Sequence, residues 1–96
     1  MTVTWMPSAK ANLRGIRDYI AMDSQYYAEK LVDEMTQAVK RLEVFPKSGR
    51  IVPEINDPAV REIIYSSYRI IYKLVENKIQ IVAVIHGKRL LPDNLG

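Results

Sequence analysis

The sequence predicts an α+β domain in which a helical hairpin covers one face of a small, mainly antiparallel sheet. Two observations carry this prediction. Apolar residues recur at helical spacing before Pro46, whereas the chain after residue 60 consists of short β-type runs separated by tight turns. The 96 residues fit one domain that spans the whole chain. The resulting order, β-α-α-β-β-β, makes two layers.

The first two elements are a short β-type run over residues 2–5 and a helix that begins at Pro7. Proline suits the first turn of a helix, and Ser8 is a candidate capping residue beside it. One apolar stripe then follows at helical spacing, through Ala9, Leu13, Ile16 and Ile20.

The second helix is predicted to begin at the capping signal Asp23-Ser24 and to end at Pro46. Apolar residues keep helical spacing over residues 27–45, with acidic residues early and basic residues late, as the helix dipole favours. Because few residues separate the two helices, we expect an antiparallel hairpin.

Residues 47–58 are predicted to be a loop, since prolines, a glycine and polar residues interrupt them. Three β-type runs follow, over residues 61–66, 68–75 and 79–85, and short turns join them into an antiparallel meander. The third run is apolar at nearly every position, which is typical of a strand inside a sheet.

Alternation along the second run of the meander assigns its side chains to two faces. Tyr68, Ile70, Tyr72 and Leu74 are predicted to face the helices. The opposite face, with Arg69, Ile71, Lys73 and Val75, is half basic and half apolar. We expect that face to be an open binding surface, with the alternative that the C-terminal tail covers its apolar members.

Composition excludes several classes of function. The chain has no cysteine, and no His, Asp or Glu cluster has the spacing of a metal site, so we expect no metal and no cofactor. Neither a secretory signal nor an apolar run long enough to span a bilayer is visible, so we expect a cytoplasmic protein without membrane association. The net charge of +3 permits a nucleic acid or an acidic protein as partner.

Three segments, residues 3–20, 45–54 and 61–89, resemble the RelE/ParE family of toxins from type II toxin–antitoxin systems. The most specific parts are Tyr-Arg-Ile-Ile-Tyr at residues 68–72 and His-Gly-Lys-Arg at residues 86–89. The resemblance covers nearly the whole chain in order, and it implies the same β-α-α-β-β-β fold. It also implies a cognate antitoxin as partner and a toxin–antitoxin hetero-oligomer.

The resemblance implies one of two activities. RelE-like toxins bind the ribosome and cut mRNA, and ParE-like toxins inhibit DNA gyrase. Cleavage of RNA without a metal requires a base, a cation and an acid. On that reading the candidate catalytic residues are Arg61, Arg69, Arg89 and His86, although His86 is equally suited to a structural role at a strand end.

The tail after Arg89 favours the ParE-like branch, because it contains no Tyr, His, Lys or Arg that could complete such a site. We therefore expect a binding protein rather than an enzyme. The resemblance and the open face make five residues candidates for contact with the target or the antitoxin: Arg69, Ile71, Lys73, Lys88 and Arg89. The antitoxin is expected to cover either the open sheet face or the groove beside the helical hairpin.

Overall fold

The computed structural model describes residues 1–87. Its elements are β1 (Thr2–Trp5), α1 (Pro7–Ala21), α2 (Gln25–Lys40), a 3-10 turn (Arg41–Glu43), β2 (Arg50–Ile51), β3 (Val60–Tyr65), β4 (Tyr68–Val75) and β5 (Lys78–His86). One five-stranded sheet has the order β1-β5-β4-β3-β2, with β1 parallel to β5 and the other pairs antiparallel. The predicted fold is confirmed. The two-residue strand β2 lies in the segment that was predicted to be a loop.

The two helix starts differ in how they are capped. Ser24 precedes α2 and accepts a hydrogen bond from the Tyr27 backbone N–H at 3.2 Å, as predicted. The capping role predicted for Ser8 is wrong, because this residue lies inside α1 and Met6 stands before the helix. The Ser8 hydroxyl instead donates to the carbonyl oxygen of Val82 at 2.7 Å and thereby ties α1 to β5.

The main core lies between the helical hairpin and the sheet. Ile70 and Tyr72 of β4 are fully buried there, and Tyr68 and Leu74 pack against the same cluster. The face predicted for this strand is confirmed. The buried members of the cluster are Ala9, Met35, Val39, Leu42, Ile70, Tyr72, Ile79, Ile81 and Val84.

Strand β5 lies between β1 and β4, in the interior position that its apolar sequence predicted. Its pairing with β4 is interrupted by a bulge, since Ile71 faces Ala83 and Tyr72 faces Ile81. The extra residue, Val82, shifts the alternation of side chains. As a result Ile81 and Val84 face the helices, whereas Val82 and Ala83 both belong to a second core on the other face.

The second core is covered by residues 52–59, which we call the strap. Val52 and Ile55 of the strap pack on the sheet against Ile71 and Ile85. The expectation of an open face on β4 is therefore wrong for its apolar centre, since Ile71 is fully buried. The strap was predicted to be a plain loop because prolines and polar residues separate its apolar side chains, which nevertheless act as anchors.

Just before the strap, the backbone of Gly49 lies close against Tyr72 of β4 and the backbone of Glu62 in β3. The Tyr72 hydroxyl accepts a hydrogen bond from the Gly49 N–H at 3.0 Å and donates one to the Pro46 carbonyl at 2.8 Å. Burial raises the pKa of Tyr72, so this hydroxyl remains a proton donor. Two hydrogen bonds thus hold residues 46–49 against the sheet.

Candidate functional site

Arg69 is the centre of a buried ion-pair network. Its Nε donates to Glu62 Oε1 at 2.5 Å, and its two terminal nitrogens donate to the two carboxylate oxygens of Glu54 at 2.7 and 2.9 Å. Glu62 also accepts from Arg50 Nε at 2.6 Å. The side chains of Arg69 and Glu62 are 7% and 0% exposed. Two arginines and two glutamates together carry no net charge.

Within the network, the pair of Arg69 and Glu54 favours the charged form of both side chains. Hydrogen bonds from Arg69 hold the pKa of Glu54 below its usual range, and the same contacts raise the pKa of Arg69. Because Glu54 belongs to the strap and Arg69 to β4, their bidentate pair fastens the strap to the sheet.

The sequence predicted that Arg69 lies on an open basic face, and this prediction is wrong. The strap and its glutamate cover the guanidinium, so Arg69 and Ile71 are not part of the protein surface. Lys73 is half-buried on the same face, and Val75 is exposed at the end of β4. Lys88 and Arg89 lie outside the described residues.

Arg61 faces the other side of the sheet. Its Nε donates to the Pro58 carbonyl at 3.0 Å, and its Nη1 donates to the carbonyls of Lys47 and Gly49 at 3.3 and 3.0 Å. These contacts cross-link the two ends of the segment between α2 and β3. Arg61 therefore has a structural role, because its guanidinium holds this segment in place.

His86 is exposed at the end of β5, where its ring meets that of Tyr68 edge to face at 5.9 Å. The pairing of β4 with β5 sets His86 opposite Tyr68, on the helix side of the sheet and away from the Arg69 side chain. Arg61 pairs with Tyr72 on the other side of β4, four residues along the strand from Tyr68. The backbone positions of His86 and Arg61 are therefore two strands and four residues apart, a distance of about 16 Å. Among the described candidates for a nuclease site, the structure brings no two together.

A cleft of about 260 Å³ lies beside the helical hairpin, next to β1. Trp5, Leu13 and Val32 line it with apolar surface. Basic residues of α1 also line it, at positions that recur along one helix face: Lys10, Arg14 and Arg17. This basic groove, as we call it, is the one predicted binding region that the described structure leaves accessible.

Residues 1–87 hold no group of three or more His, Asp or Glu side chains arranged to bind a metal. Among the same residues, no helix has the length and apolar character needed to cross a membrane.

The Arg69–Glu54 pair predicts a dependence of stability on acid. The pKa of Glu54 in the folded protein lies below the ordinary value of 4.5, so the pair stabilises the fold above that pH and its contribution is lost as pH falls through the folded pKa. Glu54 is 35% exposed, so we expect the contribution to be about 1 kcal/mol or less. Urea unfolding of wild type and Glu54→Gln should show a difference at pH 7 that shrinks below pH 4.5. A difference that stays constant down to about pH 3 would contradict the pairing.

Comparisons with known proteins show the family to which this chain belongs. A family model described as the ParE toxin of the type II toxin–antitoxin system parDE matches residues 3–91. Toxin RelE2 of Caulobacter vibrioides is 30% identical over 89 residues, which cover 92% of this chain and 97% of that protein.

Two solved structures share the fold. The chromosomal ParDE toxin–antitoxin system from P. aeruginosa superposes with a TM-score of 0.73 at 25% identity, over 90% of this chain and 95% of that one. The toxin–antitoxin complex RelBE2 of Mycobacterium tuberculosis superposes with a TM-score of 0.62 at 16% identity, over 88% and 95%. The family model, the relative from Caulobacter vibrioides and the P. aeruginosa structure together define a toxin of the RelE/ParE type. Within that class, the chain belongs to the ParE toxin family of type II toxin–antitoxin systems.

Proposed function

We propose that this toxin acts by binding and inhibiting DNA gyrase, and that it performs no chemistry of its own. The observation that carries the proposal is the burial of Arg69. Cleavage of RNA would require a cation that reaches the phosphate. Here the guanidinium of Arg69 donates its hydrogen bonds to the carboxylates of Glu62 and Glu54 instead. Arg61 and His86 lie apart from it and from each other. A binding mechanism requires none of these residues to converge.

The proposal is tested by supercoiling of relaxed plasmid with purified bacterial gyrase and purified toxin. We expect inhibition that increases with toxin concentration and is reversed by the antitoxin. Heat-denatured toxin serves as the control. Normal supercoiling at micromolar concentrations of folded toxin would contradict the proposal.

A second candidate, a ribosome-dependent mRNA endonuclease, is favoured by the similarity to the curated relative named toxin RelE2. This activity predicts cut messages in a translating extract and intact messages when ribosomes are absent. Primer extension on a defined message distinguishes it from gyrase inhibition, because the first candidate leaves the message uncut.

The cognate antitoxin is the partner that membership of a toxin–antitoxin family implies. For its docking surface the basic groove is the better of the two predicted regions, since the strap covers the alternative on the sheet. An amphipathic antitoxin segment with acidic residues fits this groove. Apolar anchors would pack on Trp5 and Leu13, and carboxylates would pair with Lys10 and Arg14.

Reversing one charge in the groove tests this surface. We expect Arg14→Glu to weaken binding of the antitoxin encoded beside the toxin gene by about tenfold, because like charges then meet at the rim. Lys78→Glu is the matched control, an exposed basic residue at the start of β5. Calorimetric titration of each variant measures the affinity, and equal affinities of the two variants would reject the groove.

A further inference from the structure

The turn between α1 and α2 carries a cluster of exposed aromatic and apolar side chains. Tyr19, Met22, Tyr26 and Tyr27 are between 62% and 83% exposed, and we call them the aromatic tip. Tyr26 and Tyr27 contact each other edge to face, with ring centroids 5.3 Å apart. None of the four contributes to the buried core clusters of the described residues.

Two clefts extend the aromatic tip onto the sheet. Tyr27 and Tyr65 line a cleft of about 280 Å³ at the end of β3. Tyr19 and Tyr68 line a second cleft, of about 360 Å³, that also includes His86. Five of the six tyrosines in the chain are therefore gathered at one end of the molecule. Tyrosine and methionine are enriched in protein–protein interfaces, where they supply large contact areas.

The charge of this end is opposite to that of the whole chain. Residues 17–30 contain three carboxylates, those of Asp18, Asp23 and Glu29, and two basic residues, Arg17 and Lys30, so this stretch carries a net charge of −1, whereas the net charge of the whole protein is +3. Asp18 pairs with Arg17 on the surface, whereas Asp23 and Glu29 form no ion pair with any of residues 1–87. Such a surface repels the phosphates of a nucleic acid and attracts a basic protein surface.

We propose that the aromatic tip is the surface with which the toxin engages a basic region of its target protein. This inference rests on the proposal that the toxin acts by binding a protein. It assigns the antitoxin and the target to different places of opposite charge: the basic groove receives an acidic segment, and the acidic aromatic tip receives a basic surface. Tyrosine rings supply the contact area at the tip, and Asp23 and Glu29 orient the approach.

The test is growth of bacteria after induction of tip variants, because growth arrest reports engagement of the target whatever its identity. Tyr26→Ala/Tyr27→Ala removes two exposed rings. The helix itself should be retained, because alanine has the highest helix propensity. Glu29→Lys reverses one charge on the same helix. Each is expected to give at least tenfold more colonies than wild type at equal soluble protein, as loss of an interface anchor would.

Phe45→Ala and Glu43→Lys are the matched controls, since they change an exposed ring and an exposed acid beyond the opposite end of α2. They are expected to arrest growth like wild type. Thermal unfolding confirms that all variants fold. Folded tip variants that arrest growth as strongly as the controls would overturn the inference, and so would greater toxicity of Glu29→Lys, which would indicate a nucleic acid at the tip.

The gyrase assay separates this inference from the proposed function. If wild type inhibits supercoiling and the tip variants require at least tenfold more protein, both proposals are supported. If wild type leaves gyrase active while only the tip variants lose toxicity, the tip still contacts a target and gyrase is rejected as that target.

Discussion

Replacing Arg69 with methionine is expected to lower the free energy of unfolding by about 3 kcal/mol at pH 7. The substitution keeps an unbranched side chain but removes the guanidinium group, which leaves the fully buried carboxylate of Glu62 without its shortest hydrogen bond. The expected loss lies at the lower end of the range for broken buried ion pairs, because Arg50 still donates to Glu62. The strap also loses the pair that fastens Glu54 to the sheet. Urea unfolding measures the change.

The control is Arg17→Met, which removes an arginine from a surface pair with Asp18 and is expected to cost about 0.5 kcal/mol or less. Adding Glu62→Gln to Arg69→Met removes the buried negative charge that has lost its Arg69 partner. The double variant is expected to recover about half of the lost stability. If the guanidinium has only this structural role, the double variant also recovers inhibition of the target. A well-folded double variant without activity would show that Arg69 has a second role.

Gly49→Ala is expected to destabilise the fold by about 3 kcal/mol, at the upper end for overpacked sites. A Cβ atom at this position would stand 2.6 Å from the Glu62 carbonyl oxygen and 2.6 Å from the Tyr72 hydroxyl. The first is backbone of a paired strand, and the second is fixed by its hydrogen bonds with Gly49 and Pro46. Neither has room to move, so the loop must shift and these hydrogen bonds weaken. The thermal midpoint should fall by more than about 12 °C.

Gly15→Ala is the matched control for that variant. Gly15 lies within α1, and a Cβ atom there would meet nothing within 4 Å. Alanine should therefore stabilise the protein by about 0.5–1 kcal/mol, through its greater helix propensity. If both variants unfold within about 2 °C of wild type, the close approach at Gly49 is not rigid.

The helical hairpin and the strand meander could be predicted from the sequence because both leave local patterns. Helical spacing before Pro46 and alternation in residues 68–75 depend only on neighbours in the chain. The interior position of β5 also followed from its own composition, since a strand that is apolar on both sides must be covered on both sides.

The strap could not be predicted in the same way. Val52 and Ile55 are separated by a proline and a glutamate, so no periodicity marks them as buried. Val52 is buried and Ile55 half-buried only because they pack on Ile71, Val82 and Ile85 of the folded sheet. The bulge in β5 is what places Val82 on that face. Alternation along β4 alone therefore predicts an open face, because it carries no information about the strap that crosses over that strand.

The pairing of Arg69 with Glu62 could have been predicted from the sequence. A two-residue turn at Ser66-Ser67 sets Tyr65 opposite Tyr68, and counting back along the hairpin sets Glu62 opposite Ile71. Glu62 and Arg69 then share a face as diagonal neighbours, a distance that long side chains span. The contribution of Glu54 could not be found, because it depends on the path of the strap.

Whether this toxin binds gyrase and leaves RNA uncut is tested most directly by measuring plasmid topology and message integrity in the same cells after induction. We expect plasmid to lose negative supercoiling while a reporter message remains full length at the time when growth stops. A message cut within its coding region while plasmid supercoiling remains normal would contradict this expectation, and would identify the toxin as a nuclease despite the buried Arg69.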